Sequence, residues 1–328
     1  MSSTTVGVDV GGTKLAVATL ADGTLAEPVV RRTQRGGAEG LIEEIVAAVR
    51  AAAPDGCEAV GVGLPSVIEF ATGRVRSSVN VPLQDVALRE VLGERLGLPV
   101  YVDNDATLAA LAEASEGGRI TARDLVMLTV GTGVGGGLVL NGRVYRGATG
   151  AAGEVGHTIV GAELERGAPP SSGFPQAGAL ESYASGTALD RLAAAAAAAE
   201  PDSALGRLAA EGGEVDGRDA VEAAKQGDAA ARRVLTVLGE RLGIGIANAI
   251  NTFDPDVVAI GGGVSAAGEL LLGPARETAR RFVLPGVGER TEIRVSRHGP
   301  KAGVLGAAVL ARQELEDERG RDAAEGGS

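Results

Sequence analysis

Six residues near the start of the chain, Asp9-Val10-Gly11-Gly12-Thr13-Lys14, set an acid, two glycines, a hydroxyl and a cation between two apolar runs. A hairpin needs only a turn at this point. Glycine lets backbone N–H groups approach an anion with no side chain in the way. Gly11, Gly12 and Thr13 are therefore candidate phosphate donors, with Lys14 as the cation. Asp9, at the end of its strand, is placed to hold a hydrated magnesium ion facing the phosphates. A second small-residue turn, "TVGTGVGGG", offers Thr132 and Gly133. A third, "AIGGGVSAAG", puts Gly261, Gly262 and Gly263 where an apolar strand gives way to a helix, a place for a nucleotide to lie. The Walker pattern does not fit these turns, since no lysine follows a GxxxxG. Each alone would serve as a tight turn; three together, one carrying Asp and Lys, point to a nucleotide.

Phosphoryl transfer to a hydroxyl also needs an oriented acceptor and a destination for its proton. In "YVDNDATLAALAEA", Asp105 sits between an apolar strand and a helical pattern. That position suits a base, which the helix N-terminus would keep ionised. Asp103, Asn104 and Asp105 would equally serve as helix caps.

The elements that must position these groups repeat a plan. Strands at Thr5–Val10 and Leu15–Leu20 flank the first glycine turn, and strands at Leu125–Val130 and Leu138–Leu140 flank the second. Helical periodicity is strongest from Ala38 to about Ala53, from Ala229 to about Phe253 and from Ala302 to about Glu316. The repeat implies two lobes. Residues 1–115 with 299–316 would carry the first phosphate loop and Asp105. Residues 116–298 would carry the second loop and the sugar and adenine contacts, and the polar tail 317–328 would be disordered.

Bulk properties narrow the class. At 328 residues two cores are the natural expectation. A net charge of −12 argues against nucleic-acid partners. Only Lys14, Lys225 and Lys301 are lysines, which singles out the one inside the glycine turn. The single cysteine, Cys57, excludes an intramolecular disulfide and any multi-cysteine metal site. With no signal-peptide pattern and no apolar run of membrane-spanning length, a cytoplasmic protein without membrane partners is expected.

In their order and spacing, "DVGGTK", "VDNDA", "GTGVGGG", "GEVGH" and "GGGV" resemble the ROK family of sugar kinases and repressors, part of the actin-like ATPase superfamily that includes hexokinases. The resemblance covers about Thr4 to Ala311. It implies an α/β fold: a two-lobed actin-like (ribonuclease H-like) arrangement of duplicated mixed-sheet domains flanked by helices. It implies ATP with magnesium as cofactors, a small-molecule hexose as substrate, and a homodimer. By this resemblance Asp105 is the base on a sugar hydroxymethyl group, and Asn104 holds sugar hydroxyls. Glu154 and His157 of "GEVGH", Glu181 of "GALESYASG" and Asn80 of "SSVNVPL" match residues that contact the sugar. The reading is phosphorylation of a hexose, with glucose to glucose 6-phosphate foremost. Fructose, mannose or an N-acetylhexosamine, or a non-catalytic sugar-binding relative, are the alternatives. Repressors of the family carry an N-terminal winged helix-turn-helix, for which a phosphate loop at Asp9 leaves no room.

The chain departs from the pattern after "GEVGH". The family usually has a zinc knuckle there, three cysteines with the histidine as fourth ligand. Counting back from Glu181, the three positions hold Ser172, Phe174 and Ala179, none of which replaces a thiolate. No structural zinc is expected. Ser66, where a glycine is usual, is a second departure.

Overall fold

The computed structural model describes residues 4–33, 36–78, 81–162, 165, 167–168 and 173–325. Its contacts divide the chain into two units. Unit 1 comprises Met1–Arg123, Gly137–Ala152 and His298–Ser328, and unit 2 comprises Asp124–Gly136 and Gly153–Arg297.

Unit 1 is built on a mixed sheet. The strands run in the order Thr24–Leu25, Lys14–Ala21, Thr5–Val10, Ala59–Leu64, Val100–Asn104, with Val29–Arg32 also on Lys14–Ala21. Thr5–Val10 pairs antiparallel with Lys14–Ala21 and parallel with Ala59–Leu64, which is parallel in turn to Val100–Asn104. The parallel strands are apolar through their middles, as strands covered on both faces must be: Val6, Val8, Val10, Val60, Val62 and Val102 are fully buried. The helix Ala38–Ala52 buries Leu41, Ile42, Ile45, Val46 and Val49, the helical stripe that its sequence spacing predicts.

The C-terminal helix Ala302–Glu325 covers the sheet at short range. A Cβ on Gly7 would lie 1.9 Å from the Val304 carbonyl oxygen, and one on Gly61 would lie 1.8 Å from that of Ala307. Glycine in those strands is what lets the helix come this close.

Two sequence boundaries are corrected here. Residues 137–152, expected in the second lobe, pack in unit 1. A Cβ on Gly137 would lie 2.7 Å from the Ala110 side chain, and Arg146 pairs with Asp103 at 2.8 Å. The tail expected from residue 317 is helical to Glu325, where Arg319 pairs with Glu58 at 2.6 Å and Asp317 with Arg143.

Unit 2 repeats the mixed sheet. Leu125–Val130 lies parallel to Val257–Gly261, which is parallel to Glu292–Val295, and Val134–Leu140 neighbours Leu125–Val130 on its other side. Its helices Ala229–Phe253 and Glu269–Phe282 pack through glycines: a Cβ on Gly239 or Gly243 would lie 2.5 Å from the Leu271 or Ala275 carbonyl oxygen. Among the described residues no helix is long and apolar enough to cross a membrane.

Candidate active site

In unit 1 the parallel register collects the acidic residues. Asp9 is level with Gly63, and Gly63 with Asp103, so all three stand at the carboxyl ends of neighbouring parallel strands. Ligands of α/β sheets generally bind at that edge. Asp105 follows directly as the first residue of the helix Asp105–Glu113.

The three polar residues after the strand divide their work. Asn104 caps the helix: its Oδ1 accepts from Ala106 N at 2.9 Å and Thr107 N at 3.2 Å. Its Nδ2 donates to the Ser66 carbonyl at 3.3 Å, which leaves one amide hydrogen for another acceptor. Asp103 is no cap. It is buried, its Oδ1 accepts from Asn104 N at 2.9 Å, and its Oδ2 accepts from Arg146 Nε at 2.8 Å. The Arg146 guanidinium also lies 3.3 Å from the centre of the Phe70 ring. Asp105 Oδ1 accepts from Ala106 N at 2.8 Å, which fixes the rotation of its carboxylate.

Burial pushes the Asp105 carboxyl up from its ordinary value, and the Ala106 amide only partly opposes this. The helix N-terminus therefore does not dominate its ionisation, as the sequence alone suggested. Asp9 is raised from 3.8 to about 6, by burial first and then by the negative charge of Asp105. Among the described residues no Lys, Arg or His pairs with either carboxylate. Two neighbouring, uncompensated carboxylates fit a hard divalent cation such as magnesium, which would relieve the repulsion that raises Asp9.

The turn after Asp9 is held by its own backbone. Gly11 N donates to the Lys14 carbonyl at 2.8 Å, so this amide closes the turn rather than facing a phosphate. Thr33 braces it, donating through Oγ1 to Gly11 O at 2.7 Å and through N to Thr13 O at 3.1 Å. Gly12 is half-buried at the tip, and Thr13 and Lys14 are exposed.

In unit 2 the second turn is tied to the helices that follow the sugar motif. Glu181 Oε2 accepts from Val134 N at 2.7 Å. A Cβ on Gly133 would lie 2.2 Å from that oxygen, so a side chain there would displace the Glu181 carboxylate. Gly186 N donates to Gly131 O at 2.6 Å, and Thr187 Oγ1 to Thr132 O at 2.9 Å. Of the third turn, Gly262 has φ 84° and its Cβ would lie 2.3 Å from Val130 O, while Gly261 is buried against Met127. Only Gly263 faces open space. It borders a cleft of about 610 Å³ shared with Thr132, Thr187, Asp190, Asp216 and Arg218. The last four carry no motif that sequence reading could single out.

Glu154 is exposed and His157 half-buried, with Nε2 3.7 Å from Glu154 Oε2. The chain returns beside them: Leu180 N donates to Thr158 O at 2.9 Å, one residue before Glu181. The His157 ring packs on Phe174 at 4.6 Å between centroids, tilted 39°. Phe174 occupies one of the zinc-knuckle positions, so a ring contact stands where a thiolate would be. Phe174 and Ala179 offer no ligand atom, and Ser172 lies outside the described residues, as does Asn80. Cys57 is the one cysteine of the chain, so the family's three-cysteine knuckle cannot form.

Duplicated mixed sheets with glycine turns at the carboxyl ends of their parallel strands define an α/β phosphotransferase of the actin-like ATPase class. The chain belongs to the ROK family, whose profile matches residues 5–314. It is 37% identical over 320 residues to a glucokinase of Halalkalibacterium halodurans, covering 94% of this chain and 95% of that one. It is 34% identical over 315 residues to a glucokinase of Thermotoga maritima, covering 94% and 98%. Among solved structures, a ROK family glucokinase from Streptomyces griseus in complex with glucose and AMPPNP is 35% identical with a TM-score of 0.72, covering 95% of this chain and all of that one.

Proposed function

We infer that the chain is an ATP-dependent hexose kinase that converts glucose to glucose 6-phosphate. The observation that carries the chemistry is the Asp9–Asp105 pair, two half-buried carboxylates beside a glycine turn, Asp105 raised by burial and Asp9 raised by burial and then by the charge of Asp105. Asp105 receives the proton of the acceptor hydroxyl. Its raised pKa makes it a better base than an ordinary carboxylate, and the bond from Ala106 N aims it. Asn104 contributes its remaining amide hydrogen to a sugar oxygen, and Glu154, His157 and Glu181 take further hydroxyls. A hexose is gripped by such donors and acceptors rather than by apolar area.

Asp9 would hold magnesium, which supplies neutralisation of charge on the ATP phosphates. Gly12, Thr13 and Lys14 from the first turn and Thr132 from the second attend the phosphates, and Gly11 and Gly133 shape those turns. The cleft beside Gly263 has room for adenosine, with Gly261 and Gly262 forming the turn that leads to it. Asn80 remains a candidate sugar contact by resemblance, and the protein is proposed to work as a cytoplasmic homodimer.

The test is an ATP-coupled assay across a panel of hexoses, run on wild type and Asp105→Asn. Glucose should be the preferred acceptor. The variant should keep glucose binding while losing about two to four decades of turnover. Absence of phosphorylation of any hexose, or wild-type turnover in the variant, would overturn the reading.

A further inference from the structure

The first turn of the C-terminal helix sits against the side chain of Asp9. A Cβ built on Gly303 would lie 2.5 Å from Asp9 Oδ2, 2.6 Å from its Cγ and 3.0 Å from Oδ1. Nothing else is among the nearest atoms at that position. Gly303 is also not in the left-handed region that favours glycine. Its backbone would accept alanine, and within a helix alanine is ordinarily the better residue. The Asp9 carboxylate is what a side chain there would meet first.

The other glycines under this helix differ. Gly7 and Gly61 of the sheet approach helix backbone, and a Cβ on Gly306 of the helix would lie 1.8 Å from the Leu108 carbonyl oxygen. Those set how close the helix lies. Of these, Gly303 alone meets a functional carboxylate. We propose that Gly303 is a positioning residue for Asp9: it leaves the space that lets the carboxylate stand at the strand end, and so sets the affinity of the site for the divalent cation. This rests on the assignment of Asp9 to that cation.

The experiment has two arms on the full chain. The first is a double-mutant cycle in thermal stability, metal-free and without ligands: Gly303→Ala in wild type and in an Asp9→Ala background. The clash predicts that Gly303→Ala lowers the melting temperature when Asp9 is present. It should leave the temperature unchanged or raise it when Asp9 is truncated. The second arm is calorimetric titration of AMPPNP with magnesium or with EDTA. Gly303→Ala should reduce the magnesium-dependent gain in AMPPNP affinity by about tenfold, the usual scale for disturbing a residue behind a metal ligand. Metal-free AMPPNP affinity and glucose affinity should stay as in wild type. The same stability effect in both backgrounds would overturn the pairing of Gly303 with Asp9. A sign change in the cycle with an undiminished magnesium gain would overturn the metal role, and with it the assignment of Asp9 in the proposed function.

Discussion

Replacing Asp9 by asparagine should make the metal-free protein more stable while removing its magnesium-dependent activity. The Asp9 carboxyl is raised from 3.8 to about 6 in the folded chain, by burial and then by Asp105. A folded value above the unfolded one means that the native state holds this proton more tightly. The neutral carboxyl is accommodated at no penalty below pH 3.8. As pH rises through about 6 the folded protein must carry the charge, and stability is lost. At 1.36 kcal/mol per pH unit, the difference comes to about 3 kcal/mol at pH 7.5. Asparagine has the same shape and no charge. The variant should therefore match wild type near pH 4, pull ahead between pH 4 and 6.5, and stay ahead above that. With about 2–4 °C per kcal/mol for a domain of 150–250 residues, the gap at pH 7.5 should be several degrees. The assay is scanning calorimetry in EDTA, without sugar or nucleotide, over that pH series. Asp105→Asn in the same background should narrow the gap, because it removes the second cause of the Asp9 shift. A gap that is absent at pH 7.5, or independent of pH, would refute the claim that Asp9 is a strained carboxylate awaiting a cation.

Two further outcomes follow from the surroundings of the site. Arg146→Ala should cost about 3–5 kcal/mol, the scale for breaking a buried ion pair, since it leaves the Asp103 carboxylate, with 5% of its side chain exposed, without its guanidinium; urea unfolding measures this, and a loss under 1 kcal/mol would show that the pair is dispensable. Phe174→Ala should raise the KM for glucose about two- to tenfold, the range implied by one aromatic contact, by freeing the His157 ring, with the KM for ATP unchanged; equal changes in both would show that Phe174 does not act through His157.

Much of the site could be read from local patterns, because turns, caps and strand ends are governed by residues a few positions apart. The strand–glycine–strand units around Gly11 and Gly133, the cap at Asn104, the helical stripe of Ala38–Ala52 and the missing cysteines at Phe174 and Ala179 all belong to this kind. So does the order of motifs that marks the family. The amides were less legible: whether Gly11 N faces a phosphate or the Lys14 carbonyl depends on how the turn closes, which composition does not state.

What packing alone decided are the relations between distant segments. The parallel register Asp9–Gly63–Asp103 brings Asp9 to the sheet edge where Asp105 follows the last strand, and burial and then the charge of Asp105 raise Asp9 in a way that its local sequence does not foretell. Arg146, in a stretch with no motif, becomes the partner of Asp103, and residues 137–152 join unit 1 on that account and through Gly137. Glu181, matched to a sugar contact, turns out to hold the amide of Val134 as well. Gly303 looks like any helical glycine until the helix is laid against Asp9. Side-chain type and spacing dictate which chemistry a residue can do. Burial, charge coupling and steric fit depend on which other residues arrive within a few ångströms, and that is a property of the folded chain.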